Sequence, residues 1–153
     1  MAYIDYEYYK SLYGENALAE IDFNRLSWDA EREIDKATSG VDGVKKLKVA
    51  FPVNEYDAEI VKRCVCDLVD YLSQLEKAQS TMINDGGIVV SKSAGNESIS
   101  YANTDSDISS ALKGAKGKEN AIYNFIVSKL SGVSDANGVN LLFAGRYPYY
   151  VRN

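Results

Sequence analysis

The sequence contains no histidine, which removes the commonest general base and metal ligand found in proteins. Arrangements in which histidine activates a serine or cysteine nucleophile are therefore excluded. The chain also lacks GxGxxG and GxxxxGK[ST], the glycine-rich motifs that bind nucleotide phosphates. We predict from these absences that the chain is not an enzyme and holds no metal or cofactor.

Cysteine and long apolar runs are also scarce. The two cysteines, Cys64 and Cys66, lie two residues apart in a predicted helix, so their side chains point away from each other and predict neither a disulfide nor a shared metal site. The longest apolar runs are a few residues, whereas a span of the bilayer needs roughly 20. The first ten residues lack the apolar region of a secretory signal. We therefore expect a chain that is made in the cytoplasm and has no membrane partner.

Acidic residues outnumber basic ones, 22 to 17, and the formal net charge is -5. This charge repels phosphate backbones, so we do not expect sequence-independent binding of nucleic acid. The densest basic cluster, Lys45, Lys46 and Lys48, is interpreted as a solvated face. A chain of 153 residues predicts one domain, 1–153, which is long enough to hold a core without metal or disulfides.

Helical periodicity is the strongest pattern present. Apolar residues at three- and four-residue spacing predict helices over 5–13, 22–38, 57–77 and 119–130. The third is the longest and is predicted to be the central core helix. Asp5 is a candidate N-cap of the first helix, and Gly14 is its candidate stop.

A different pattern follows the longest helix. Ile88 and Val90 on one side, and Ile99 and Tyr101 on the other, flank the turn-forming residues 94–96, which predicts a β-hairpin over about 86–102. A flexible connection is predicted over about 103–118, and an apolar C-terminal tail over 139–153. The fold prediction is a mainly α small helical bundle of about four to five helices, with an inserted β-hairpin and extended loops.

Tyrosine is abundant, with twelve copies concentrated near the two ends. Tyr6, Tyr9 and Tyr13 share one helical face and are predicted to pack on the core, and Trp28 is predicted to pack at the core's edge. Tyrosine is enriched at protein interfaces because it offers apolar area and a hydroxyl at small entropic cost. The residues predicted to form a protein interface lie near both ends and in the hairpin: Tyr8, Ile88, Val90, Ile99, Tyr101, Phe143, Tyr147, Tyr149 and Tyr150.

Several segments occur in an order that is similar to a known family. They are Tyr6-x-x-Tyr9-x-x-x-Tyr13-Gly14, Ile21–Leu26, Ala30-x-x-x-Ile34-Asp35-x-x-Thr38, Ala58-x-x-x-Lys62-x-x-x-Cys66-x-Leu68, Gly86-Gly87-Ile88-Val89 with Ser98–Tyr101, and Leu141–Gly145. In this order the chain resembles the small head–tail connector proteins (adaptor or head-completion proteins) of tailed phages and prophages. The tail after Gly145 and the long connection over 103–118 depart from that pattern. The resemblance also suggests a short helix within 41–51.

The resemblance implies a structural virion protein located in the neck between capsid and tail, after assembly in the bacterial host cytoplasm. Such subunits form a homo-oligomeric ring that joins the portal protein to tail-completion or neck proteins, and DNA only passes through the channel without specific binding. We add the hypothesis that Asp67, Asp70, Asp105 and Asp107 line the channel or its mouth.

Two alternatives remain open. One is another phage tail-completion or neck protein. The other is a small intracellular regulatory module, although a DNA-binding module would need a basic helix face.

Overall fold

The computed structural model of the chain describes residues 2–84 and 117–148, without the side chains of 81–84. Within these ranges the chain forms five α-helices and one 3-10 turn. They are α1 (Tyr6–Tyr13), the turn Gly14–Asn16, α2 (Glu20–Ala37), α3 (Lys46–Val49), α4 (Glu55–Asn84) and α5 (Gly117–Leu130). The prediction of a mainly α chain is confirmed. The described ranges contain no strand, and the hairpin predicted over 86–102 lies outside them and gains no support from them.

Local capping explains where the helices begin and end. The carboxylate of Asp5 accepts a hydrogen bond of 2.8 Å from the backbone N–H of Tyr8, and α1 stops at Gly14, whose φ is +57°. The fourth helix begins at Glu55 because the side chain of Asn54 accepts hydrogen bonds from the N–H groups of Tyr56 and Asp57. The short helix suggested within 41–51 is α3.

The core lies between α2 and α4, with α5 packed against both. On α2 the apolar residues at helical spacing, Phe23, Leu26, Ala30 and Ile34, are buried, and on α4 Val61, Val65, Leu68 and Val69 have no exposed surface. Both cysteines are buried in the same cluster. Tyr9 is fully buried, and Tyr6 and Tyr13 pack against this core, as predicted.

Burial of cysteine thiols and tyrosine hydroxyls makes the stability of the fold depend on pH. Burial raises the pKa of the Cys64 and Cys66 thiols from 9.0 to about 12. Burial, followed by a hydrogen bond to a carboxylate, also raises the pKa of Tyr3 (partner Asp35) and of Tyr13 (partner Asp67) above the ordinary 10.0. Above pH 9 the unfolded chain therefore releases protons that the folded chain retains.

The free energy of unfolding should consequently fall as the pH rises from 9 through the tyrosine range. Lys46, whose pKa is lowered by burial, acts in the opposite sense below pH 10.5. It is one group, whereas the two thiols and the tyrosines Tyr3, Tyr8, Tyr9 and Tyr13 all have a raised pKa. Urea unfolding between about pH 8 and pH 11 measures the change. Tyr13→Phe should flatten the upper part of the curve, and an unfolding midpoint that stays constant would contradict the prediction.

Candidate interaction surfaces

The side of α2 that faces away from the core carries an apolar and basic strip, which we call the α2 outer stripe (Ile21, Arg25, Trp28 and Arg32). Ile21 is 79% exposed and Trp28 is 63% exposed, so the prediction that Trp28 packs at the edge of the core is wrong. The guanidinium of Arg32 lies 4.9 Å from the centre of the Trp28 ring. Tryptophan and arginine are the residues that most often carry binding energy at protein interfaces.

A second exposed cluster lies where α4 begins, and we call it the α4 entrance patch (Val53, Glu55, Tyr56 and Asp57). Val53 is 81% exposed and Tyr56 is 74% exposed. Glu55 and Asp57 place two carboxylates in the first helical turn. This patch is apolar and acidic, whereas the α2 outer stripe is apolar and basic.

A third surface lies beside the C-terminal segment, and we call it the C-terminal edge (Val41 and Phe143). Val41 is 83% exposed and Phe143, a predicted interface residue, is 46% exposed. The two are held near each other because the N–H of Val41 donates a hydrogen bond of 2.8 Å to the carbonyl oxygen of Ala144.

The C-terminal edge is fixed in place by Lys46, a member of the basic cluster that the sequence analysis interpreted as a solvated face. Only 1% of Lys46 is exposed, so the interpretation of this lysine as part of a solvated face is wrong. Its Nζ donates to the carbonyl oxygens of Thr38 (2.7 Å), Leu141 (3.3 Å) and Phe143 (2.6 Å). The ammonium therefore joins the end of α2 to the C-terminal segment.

The other two lysines of that cluster remain on the surface. Lys45 is exposed, and Lys48 is exposed but lies 3.8 Å from a carboxylate oxygen of Asp35 and 4.3 Å from the centre of the Tyr3 ring. Tyr3 in turn donates a hydrogen bond of 2.5 Å to Asp35. Lys48 therefore helps to hold the N-terminal segment on α2.

Tyr147 differs from its predicted role. It is only 3% exposed, its hydroxyl donates a hydrogen bond of 2.5 Å to Asp135, and its N–H donates to Asp42. Its ring also packs with Val44 and Val139 in a small second cluster. The side chain is committed to contacts within the chain, so we remove it from the candidate interface.

Tyr8, another predicted interface residue, is half-buried. Its hydroxyl donates a hydrogen bond of 2.8 Å to Glu59, which also accepts 2.9 Å from Arg63. Burial and the Glu59 carboxylate raise the pKa of Tyr8. The residue connects α1 to α4, and only part of its ring is left for another protein. The remaining predicted interface residues lie outside the described ranges: Ile88, Val90, Ile99, Tyr101, Tyr149 and Tyr150.

Of the four aspartates in the hypothesis of an acidic channel, Asp67 and Asp70 lie in the described residues, and Asp67 is paired with a lysine of its own chain. The carboxylate of Asp67 accepts a hydrogen bond from the hydroxyl of Tyr13 and lies 3.2 Å from Nζ of Lys129. Asp70 accepts a hydrogen bond of 2.9 Å from Gln74. Asp67 is thus partly neutralised by its own chain. Asp105 and Asp107 lie outside the described residues.

A groove of about 260 Å³ lies between α2 and α5, with Glu33, Lys36, Glu119 and Tyr123 among its lining residues. Over residues 2–84 and 117–148 no group of three or more cysteine or carboxylate side chains could hold a metal ion. In the same ranges no helix combines the length and the apolar character that crossing a membrane requires.

No protein-family model matches this chain, and the comparisons with curated proteins and with solved structures give no match. The three surfaces are therefore interpreted from their own chemistry.

Proposed function

We propose that this chain is a non-enzymatic structural subunit of a phage head–tail connector. In this proposal it forms a ring between the portal protein and the tail-completion proteins, and DNA passes through the ring without specific binding. The mainly helical bundle supports the proposal because it is the kind of fold that the resemblance implies.

The observation that carries the proposal is the set of large apolar side chains that the described residues leave exposed. They include Trp28 and Phe143, which are 63% and 46% exposed. On two of the three surfaces such a side chain has an exposed apolar neighbour, Val41 beside Phe143 and Val53 close to Tyr56. Apolar side chains that group into an exposed patch mark sites where a protein binds another protein.

The C-terminal edge is the surface best suited to hold the portal or a neck protein. The carbonyl group of Phe143 accepts a hydrogen bond from Lys46, and the next residue, Ala144, accepts one from Val41. Because the backbone here is already fixed by these bonds, little conformational entropy is lost when a partner binds. An aromatic side chain on a rigid support is the usual anchor of a protein interface.

Light scattering of the purified chain, alone and mixed with the cognate portal ring, tests the proposal. We expect a shift to the mass of a portal complex that carries several copies of the chain. Phe143→Ser should weaken that complex at least tenfold, which corresponds to about 1.4 kcal/mol.

Tyr123→Ser is the matched control, since Tyr123 is 52% exposed on α5 and belongs to none of the three named surfaces. It should bind the portal like the wild type. A wild-type chain whose mass is indifferent to the portal would overturn the connector assignment and favour another neck protein or a partner outside the particle.

A further inference from the structure

The α2 outer stripe has a cation that no carboxylate of the described residues neutralises. Arg25 is already paired, with its Nη1 2.6 Å and 2.9 Å from the carboxylate oxygens of Glu76. For Arg32, by contrast, no carboxylate among the described residues lies within 4.0 Å, and its guanidinium stays over the Trp28 ring. Arg32 and Trp28 therefore present a positive charge beside an exposed aromatic ring.

The α4 entrance patch has the complementary composition. No lysine or arginine of the described residues lies within 4.0 Å of the carboxylates of Glu55 or Asp57. They flank Tyr56, and Val53 stands just before them in the chain. The patch presents two negative charges beside exposed apolar surface.

No ion pair joins the two surfaces within one chain: the ion pairs of the described residues include neither Arg32 nor the carboxylates of Glu55 and Asp57. Each surface is therefore open to a complement on another molecule, and a second copy of this chain supplies one.

We infer that the α2 outer stripe of one copy binds the α4 entrance patch of the next, with Trp28 against Tyr56 and Arg32 against Glu55. The contact is heterologous, because it uses two different surfaces, and contacts of this kind produce rings where the rotation closes. This inference deepens the proposed function, which requires a ring, and names the surfaces that build it. With few side chains on each side, a single contact is weak and ring closure strengthens it.

Two charge reversals at exposed positions test the contact in solution, without a portal. Arg32→Glu blocks the stripe and leaves the patch intact, whereas Glu55→Arg blocks the patch and leaves the stripe intact. We expect the wild type to gain mass with concentration in light scattering and each variant to stay monomeric. An equimolar mixture of the two variants should associate again, since the intact patch of one meets the intact stripe of the other and the two reversed charges are themselves opposite in sign.

Lys10→Glu on α1 is the control for the change of net charge, because Lys10 is exposed and lies outside both surfaces. It should associate like the wild type. The inference is overturned if the variants associate as the wild type does, if their mixture stays monomeric, or if the wild type remains monomeric up to about 1 mM, the weak end of specific binding.

The portal experiment separates this inference from the proposed function. If portal binding persists and the Arg32→Glu chain still builds a full ring on the portal, the inferred contact is wrong while the connector assignment stands. If the mixture associates but no variant binds the portal, the contact is right and the connector assignment is wrong.

Discussion

Lys46→Met is expected to lower the free energy of unfolding by about 2–4 kcal/mol, because it leaves three carbonyl oxygens without their shared charged donor. Each hydrogen bond from a charged group contributes roughly 1.5–3 kcal/mol. Methionine fills a similar volume and no longer buries an ammonium, which returns several kcal/mol of the gross loss. The net effect should nonetheless be destabilising, because the ammonium has three carbonyl partners to offset its burial.

The same substitution should loosen the C-terminal segment more than the helical core. Hydrogen exchange of the amides of residues 133–147 should accelerate in Lys46→Met, while that of α4 changes only with global stability. Lys45→Met is the matched control: Lys45 is exposed, so its change should stay within about 0.5 kcal/mol. A Lys46→Met protein as stable as the wild type would show that burial of the charge costs as much as its hydrogen bonds contribute.

The helical part of the fold was predictable because its signal is local. Phe23, Leu26, Ala30 and Ile34 are spaced so that a helix must place them on one side, and all four are buried. The longest helix was predicted for the same reason, although it was predicted over 57–77 and extends over Glu55–Asn84, so its start was placed too late and its end too early. Asn54, two residues after Pro52, is a capping residue whose role could have been found from the sequence.

The position of Lys46 could not be predicted from the sequence. Its partners are backbone carbonyl groups, which every residue has, and two of them lie about 100 residues further along the chain. The burial of Tyr147 follows likewise from a hydrogen bond to Asp135 that only the folded chain brings together. From residue type alone, Lys46 and Tyr147 were both predicted to lie on the surface.

The candidate surfaces were partly predictable. Phe143 was predicted at an interface, and its side chain is exposed. The α2 outer stripe was missed even though Ile21 and Trp28, seven residues apart, lie opposite the buried stripe of the same helix. Helical periodicity identifies the main apolar face of a helix. Single apolar residues on the opposite face were therefore interpreted as lying at the edge of the core.

Gly40→Ala is expected to destabilise the fold by about 2–4 kcal/mol, because a Cβ at this position has no space. It would overlap the carbonyl oxygen of Gly145 and lie 3.1 Å from that of Ala144. Both obstacles are backbone atoms, so no side-chain rotation relieves them. The C-terminal segment must move away, and the hydrogen bond from Val41 to Ala144 is then lost.

Gly43→Ala distinguishes this steric effect from the ordinary preference of a turn for glycine. Gly43 has φ +73° and open space around its Cβ position, so alanine there introduces backbone strain of roughly 1–2 kcal/mol without a collision. Only Gly40→Ala should accelerate hydrogen exchange at the N–H of Val41. It should also weaken portal binding, since Phe143 loses its rigid support. If both variants unfold at the same urea midpoint and exchange alike, the close approach of Gly40 to Gly145 is not what holds the C-terminal edge.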